Sequence, residues 1–166
     1  MSRLLFLTFA LAMALNHSTY ADAGSAANST SPETVTKASP RQSNVMKMRL
    51  TVNGKAITAD LIESETTRDF ISLLPLTLTM NDLFGREKFG RLPRAISEGG
   101  KRTRTYEVGD VIYWSPGRDV AIFYRHDGQS IPSPGIIVMG KIVSGVDALN
   151  VPRSVKVTIG RVGNQK

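Results

Sequence analysis

The residues of this chain best suited to catalysis are the consecutive Arg125, His126 and Asp127. A histidine titrates near neutral pH, so beside a carboxylate and a guanidinium it is a candidate acid–base group. Neighbouring residues of a strand point to opposite faces, however, and the three side chains cannot all converge on one point. We therefore interpret the run as a polar strand end that enters a turn at Asp127–Gly128. Arg125 remains as a weak catalytic candidate.

Other kinds of catalytic site have little support in the sequence. The chain has no cysteine, which excludes thiol chemistry, and no G-x-S-x-G motif. Its two histidines include His17, which lies in a segment that we expect to be removed. One remaining histidine and scattered acids argue against a transition-metal site. The run "EGGKRT" (98–103) lacks the spacing of a phosphate-binding loop. We expect neither a metal nor a cofactor.

A concentration of positive charge between residues 86 and 104 indicates a possible binding surface. Seven basic residues stand there against two acidic ones. The basic residues are Arg86, Lys88, Arg91, Arg94, Lys101, Arg102 and Arg104. Such a segment is typical either of a solvated loop or of a rim that attracts anions to a pocket, and the sequence leaves both open.

Aromatic residues near strand ends indicate where such a pocket would lie. Trp114, the only tryptophan, and Tyr124 stand at the ends of two apolar runs. Amphipathic rings at the rim of a barrel line binding clefts, and they also plug barrel ends. We predict a cleft on the side of the barrel with a basic rim. The candidate ligand-binding residues are Trp114, Tyr124, Arg125, His126, Arg86, Lys88 and Arg94.

Two patterns of apolar residues predict the strands that position these side chains. Strict alternation predicts half-buried strands at 46–52, 55–62, 76–80 and 153–160. Runs that are apolar on both faces predict strands covered on both sides, partly by helices, at 111–114, 120–124 and 136–140. Asn53–Gly54 is a strong hairpin signal, because both residues tolerate positive φ.

Two short helices and one long loop complete the predicted domain. Phe70, Leu73 and Leu74 follow helical spacing within 64–75, and a second short helix is predicted at 144–149. Residues 81–105 contain four glycines, one proline and seven basic residues, which predicts a mostly irregular excursion. The fold class is therefore mainly β. About eight strands, the last able to pair near the first, predict a closed barrel, with an open sandwich as the alternative.

The N-terminal segment has the features of a secretory signal peptide. Arg3 precedes an apolar run of 12 residues (4–15), and "ADA" (21–23) offers a small-x-small cleavage site. The run is too short to span a bilayer as a helix, so we expect no stable membrane insertion after cleavage of residues 1–23. We predict an exported protein, located in the periplasm or secreted.

The rest of the chain divides into a linker, one domain and a tail. Residues 24–44 have almost no large apolar side chains and are rich in Ser, Thr, Ala and Pro, which is typical of a flexible linker. The predicted domain covers 45–162, and 163–166 form a tail. The net charge of +7 favours anionic neighbours. Nucleic acid is not an expected partner of an exported protein, so we expect a peptide segment or a small anionic ligand.

Three segments of the chain resemble the bacterial cyclophilin-like fold proteins. They are "LPLTLTMNDLFGREKFGRLPRAIS" (74–97), "GDVIYWSPGRDVAIFYR" (109–125) and "GIIVMGKIVSG" (135–145). The family consists of small, often exported, single-domain barrels. The resemblance implies an eight-stranded barrel capped by two helices, which is the topology of peptidyl-prolyl isomerases.

The resemblance does not extend to the catalytic residues of those isomerases. They place an arginine in a Phe–His–Arg strand beside a proline pocket and follow it with a Q-G-G-D segment. This chain has "FYRHDGQSIP" (123–132), in which Arg125 and Gln129 stand in a different order and spacing. We therefore expect a non-catalytic binding module, with prolyl isomerisation as the alternative function.

Overall fold

The structure is a computed structural model that describes residues 45–162. The predicted signal peptide, linker and tail lie outside these residues. The described part contains nine strands, one α-helix and one 3₁₀-helix. In chain order these are β1 (Lys47–Val52), β2 (Lys55–Leu61), α1 (Glu65–Ser72), β3 (Leu76–Leu83), β4 (Glu87–Arg91), β5 (Arg102–Thr103), β6 (Asp110–Trp114), β7 (Asp119–Phe123), β8 (Ile136–Ser144), the 3₁₀-helix (Val146–Leu149) and β9 (Val155–Arg161).

Eight of the strands form one closed antiparallel barrel, which confirms the mainly β barrel predicted from the sequence. The strand order is β2-β1-β9-β3-β4-β7-β6-β8, and pairing of β8 with β2 closes the ring. The short β5 pairs only with the N-terminal end of β8. Closure removes the unpaired edges that an open sheet would leave.

The first hairpin forms where the sequence predicts it. Val52 pairs with Lys55, and Asn53 and Gly54 between them have φ of 48° and 77°. Such positive values suit the tight turn, which few residues other than glycine and asparagine adopt readily. The alternating apolar side chains of β1 are fully buried, whereas Lys47 is exposed. The apolar side chains at alternate positions of β1 therefore face the barrel interior.

Helix α1 packs against the barrel at β8. Ser64 is its N-cap, with the hydroxyl accepting a hydrogen bond from the backbone N–H of Thr67 at 3.0 Å. Phe70 is fully buried in the main core. The second predicted helix is a 3₁₀ turn, in which Leu149 is also fully buried. Neither helix of the described residues has the length and apolar character needed to cross a membrane.

The prediction of a mostly irregular segment between residues 81 and 105 is wrong in part. Strand β3 continues to Leu83, turns at Phe84–Gly85 and returns as β4. The apolar alternation that marks a strand is missing from β4, because its inward positions are Lys88 and Gly90. Lys88 is fully buried and hydrogen-bonded within the barrel. Because a charged residue occupies an inward position, the pattern of apolar residues did not predict this strand.

Candidate ligand-binding groove

A groove lies on the outer face of the barrel, across β4, β7 and β6. Phe89 pairs with Ala121, and Ala121 pairs with Ile112, so the three side chains form one row on that face. The groove has a volume of about 250 Å³. Its apolar walls are Phe89, Ile112, Ala121, Ile131, Pro132 and Ile136.

The groove exists because the outer face of these strands is apolar and incompletely covered. A second hydrophobic cluster lies there, separate from the barrel interior, and includes Tyr106, Phe123 and Ile131. The covering chain is held by two hydrogen bonds between Arg104 and Ile131, both 2.8 Å long. Most side chains on both faces of β6, β7 and β8 are buried, which confirms the prediction that these strands are covered on both sides. The cover on this outer side consists of loops and not of helices.

One end of the groove is formed by a buried guanidinium group. Arg86 is 6% exposed, and its Nη1 donates to Asp127 Oδ2 at 3.1 Å. The guanidinium carbon lies 5.2 Å from the ring centre of Phe84, 5.4 Å from that of Tyr106 and 5.8 Å from that of Phe123. The Nε atom is buried and has no hydrogen-bond partner among residues 45–162. Buried polar atoms are normally paired, so an unpaired N–H at this position is unusual.

Glu87 is a second buried charge at the same end. It is 6% exposed, and its Oε1 lies 3.6 Å from Arg86 Nη2, which is longer than a hydrogen bond. Burial raises the pKa of Glu87 to about 7, against the opposing effect of the Arg86 charge. Glu87 was not among the candidate residues. Its outward direction follows from the register of β4, which the sequence did not reveal.

The other end of the groove is formed by Asp119 and Trp114, which pair across β7 and β6. Asp119 is 9% exposed, and within the described part of the chain its carboxylate accepts no hydrogen bond. The nearest cationic atom is Arg91 Nε at 3.9 Å, on a side chain that is largely exposed. Burial raises the pKa of Asp119, and the charges of Arg91 and Arg118 oppose that shift.

Two of the seven candidate binding residues line this groove, Trp114 and Arg86. Tyr124 is buried toward the barrel interior, where its hydroxyl donates to Asp82 Oδ2 at 2.5 Å. Lys88 lies in the same place, 2.8 Å from that carboxylate. Arg94 is exposed and bound to Asp69 of α1. These three side chains hold parts of the fold together.

The Arg125–His126–Asp127 run does not converge on one point, as its alternating directions predicted. Arg125 and His126 are exposed and lie outside the groove lining. The His126 ring stacks on Tyr106, with 4.8 Å between ring centres. The hydrogen bond from the Tyr106 hydroxyl is the main cause that holds the pKa of Asp127 below its usual range, and the hydrogen bond from Arg86 adds to it. Asp127 therefore orients Arg86 at the groove end.

Comparisons with known proteins agree with this architecture. The model of a family described as "Cyclophilin-like family" matches residues 50–160. The solution structure of a hypothetical protein from Archaeoglobus fulgidus is similar, with a TM-score of 0.58 and 25% sequence identity. That similarity covers 71% of this chain and 95% of the archaeal one. A search among curated proteins gave no match.

Proposed function

The chain belongs to the cyclophilin-like family, and from that premise we propose that its domain is an exported binding module that uses the groove between Arg86 and Asp119. The ligand has an apolar body and an oxygen acceptor, as a peptide segment or a small carboxylate does. The signal-like segment at residues 1–23 supports the export part of this proposal.

The observation that carries the proposal is the unpaired Nε–H of Arg86 beside apolar walls. Leaving a buried donor without a partner costs about 1–3 kcal/mol, and a ligand oxygen would remove that cost. A ligand that also covers Phe89, Ile112 and Ala121 gains from burying its apolar surface. The net charge of +7 favours encounter with anionic ligands.

The size of the groove restricts the ligand to a small one. Its volume of about 250 Å³ is smaller than the roughly 300–1,000 Å³ of sites that enclose a drug-sized molecule. A groove of this kind accommodates a few residues of an extended peptide or one small organic acid.

Substitution of Arg86 should remove most of the affinity. A hydrogen bond to a charged group contributes about 1.5–3 kcal/mol, so we expect Arg86→Lys to weaken binding roughly 10- to 100-fold. Lysine keeps the positive charge but lacks the Nε–H. Thermal shifts of the full chain against a panel of short peptides and carboxylates identify a ligand, and titration of each variant then gives its affinity.

Arg125→Lys provides the matched control, because Arg125 is an exposed arginine outside the groove lining. We expect this variant to bind as the unchanged chain does. Equal losses in both variants would contradict a role for the groove. The absence of any thermal shift across the panel would contradict the binding function.

Prolyl isomerisation is supported as a second candidate by the position of Arg86 beside an apolar groove. A guanidinium there can weaken amide resonance in a bound X–Pro bond. The assay is cis/trans relaxation of an X–Pro peptide with the full chain, Arg86→Ala and Arg125→Ala. Catalysis that is lost only in Arg86→Ala is the result expected of an isomerase, and an uncatalysed rate in all three samples would contradict it.

A further inference from the structure

We infer, on the basis of the proposed function, that Asp119 binds the cationic end of the same ligand, so that the groove takes a short extended peptide with a free N-terminus. The ammonium group would lie at Asp119 and Trp114. A carbonyl or carboxylate oxygen about three residues later would accept the Nε–H of Arg86.

The first support is that the two polar ends offer opposite hydrogen-bonding groups, a donor at Arg86 and an acceptor at Asp119. Arg86 presents an unpaired donor, and the Asp119 carboxylate accepts no hydrogen bond within residues 45–162. Both side chains are largely buried, with 8% of Arg86 and 13% of Asp119 exposed. Because buried polar groups are normally paired, a ligand with a donor at one end and an acceptor at the other would satisfy both.

The second support is the distance between the ends. Arg91 pairs with Asp119, and Arg86 lies five positions before Arg91, so the two ends are separated by five positions along β4 and the turn before it. At a rise of about 3.3 Å per residue, this separation is roughly 16 Å. An extended chain covers at most about 3.3–3.6 Å per residue, so three residues plus hydrogen bonds at both ends fit this span.

The third support is the composition of the Asp119 end. A Cβ added at Gly117 would lie 1.9 Å from Asp119 Oδ2 and 3.2 Å from Trp114 Cδ1, so the turn packs closely against both side chains. The indole offers a ring for a cation next to the carboxylate. Arg91 competes weakly, because an ion pair of 3.9 Å on a side chain that is 66% exposed contributes little.

The middle of the ligand is specified by the groove floor. Ala121 lies between Phe89 and Ile112 and has the smallest side chain of that row, so the floor is deepest there. The middle residue of the peptide should therefore carry an apolar side chain. Alanyl-leucyl-alanine with free ends is the simplest probe of this description.

The test is a titration of the full chain with this tripeptide, its N-acetylated form and its C-terminal amide, followed by the fluorescence of Trp114, the only tryptophan. We expect N-acetylation to weaken binding at least tenfold. In Asp119→Asn, which keeps the side-chain size, the free and acetylated peptides should bind equally. Asp147→Asn, at an exposed aspartate, is the control and should keep the difference.

The outcomes separate this inference from the proposed function. If free and acetylated peptides bind equally and their affinity still depends on Arg86, the ammonium site at Asp119 is wrong, and the binding function of the groove stands. Binding of small carboxylates without any tripeptide binding would lead to the same conclusion. Loss of all Arg86-dependent binding would overturn both. The C-terminal amide shows which peptide oxygen accepts the hydrogen bond from Arg86. If the terminal carboxylate is the acceptor, the amide binds more weakly than the free peptide, and if a backbone carbonyl is, the two bind equally.

Discussion

Glu87→Gln should stabilise the protein at pH 8 and leave its stability nearly unchanged at pH 4.5. Burial raises the pKa of Glu87 to about 7 from an ordinary value of 4.5, so the folded chain favours the protonated side chain. The corresponding stability is fully present below about pH 4.5 and is lost as the pH rises through 7. Glutamine resembles the protonated form at every pH. We therefore expect the free energy of unfolding of Glu87→Gln to exceed that of the unchanged chain by about 3 kcal/mol at pH 8.

Denaturant unfolding of both chains across pH 4.5–8 measures this difference directly. Glu98→Gln is the matched control, because Glu98 is a largely exposed glutamate and its substitution should give a difference that changes little with pH. A difference for Glu87→Gln that is constant across the range would show that Glu87 ionises at an ordinary pH, and would contradict its burial at the groove end.

The same ionisation should affect binding. Besides Arg86, the charges of Asp127 and Asp82 act on Glu87, and both carboxylates favour its protonated form. When Glu87 ionises, it adds a negative charge beside the guanidinium that would bind a ligand carboxylate. We expect a carboxylate ligand to bind more weakly at pH 8 than at pH 6, and Glu87→Gln to bind it equally at both.

Lys88→Ala should produce a large loss of stability. Lys88 is fully buried, and its Nζ donates to Asp82 Oδ2 at 2.8 Å, to the Val151 carbonyl at 2.5 Å and to the Arg153 carbonyl at 2.9 Å. Alanine would leave one charge and two carbonyls without this partner. Removing one member of a buried ion pair costs about 3–5 kcal/mol, a large part of the roughly 5–15 kcal/mol that stabilises a typical domain.

Two further variants decide how the Lys88 result is interpreted. Lys47→Ala removes a lysine from an exposed pair with Asp60 and should cost less than about 1 kcal/mol. Lys88→Met refills the volume without the charge, so its loss should fall below that of Lys88→Ala and stay above that of Lys47→Ala. A loss for Lys88→Ala as small as that of the exposed lysine would contradict its structural role.

The sequence was most informative where apolar pattern and turn chemistry agree. The Asn53–Gly54 hairpin and the doubly covered strands β6 and β7 follow from local patterns, and the last strand, β9, pairs with β1 as expected. Strand β4 was missed because Lys88 occupies an inward position that apolar residues usually hold. Its charge is neutralised by Asp82 and by two carbonyls more than 60 residues later in the chain, so no local pattern reveals it.

The candidate site depends still more on contacts between distant residues. Trp114 and Arg86 could be chosen from residue type and charge, but Glu87 and Asp119 could not. Their positions at the two ends of the groove follow from the register between β4 and β7, which pairs Glu87 with Phe123 and Arg91 with Asp119. Burial raises the pKa of both carboxyl groups. Residue type alone does not show that a charged side chain is buried.

The most direct test of the groove is a map of backbone amide NMR shifts on titration with alanyl-leucyl-alanine. We predict that perturbed amides concentrate in residues 86–91, 112–114, 119–123 and 131–136, and that Arg86→Lys strongly reduces these shifts at the same peptide concentration. Perturbations centred on Arg125 and His126, or near Arg94 and α1, with residues 119–123 unaffected, would contradict this prediction.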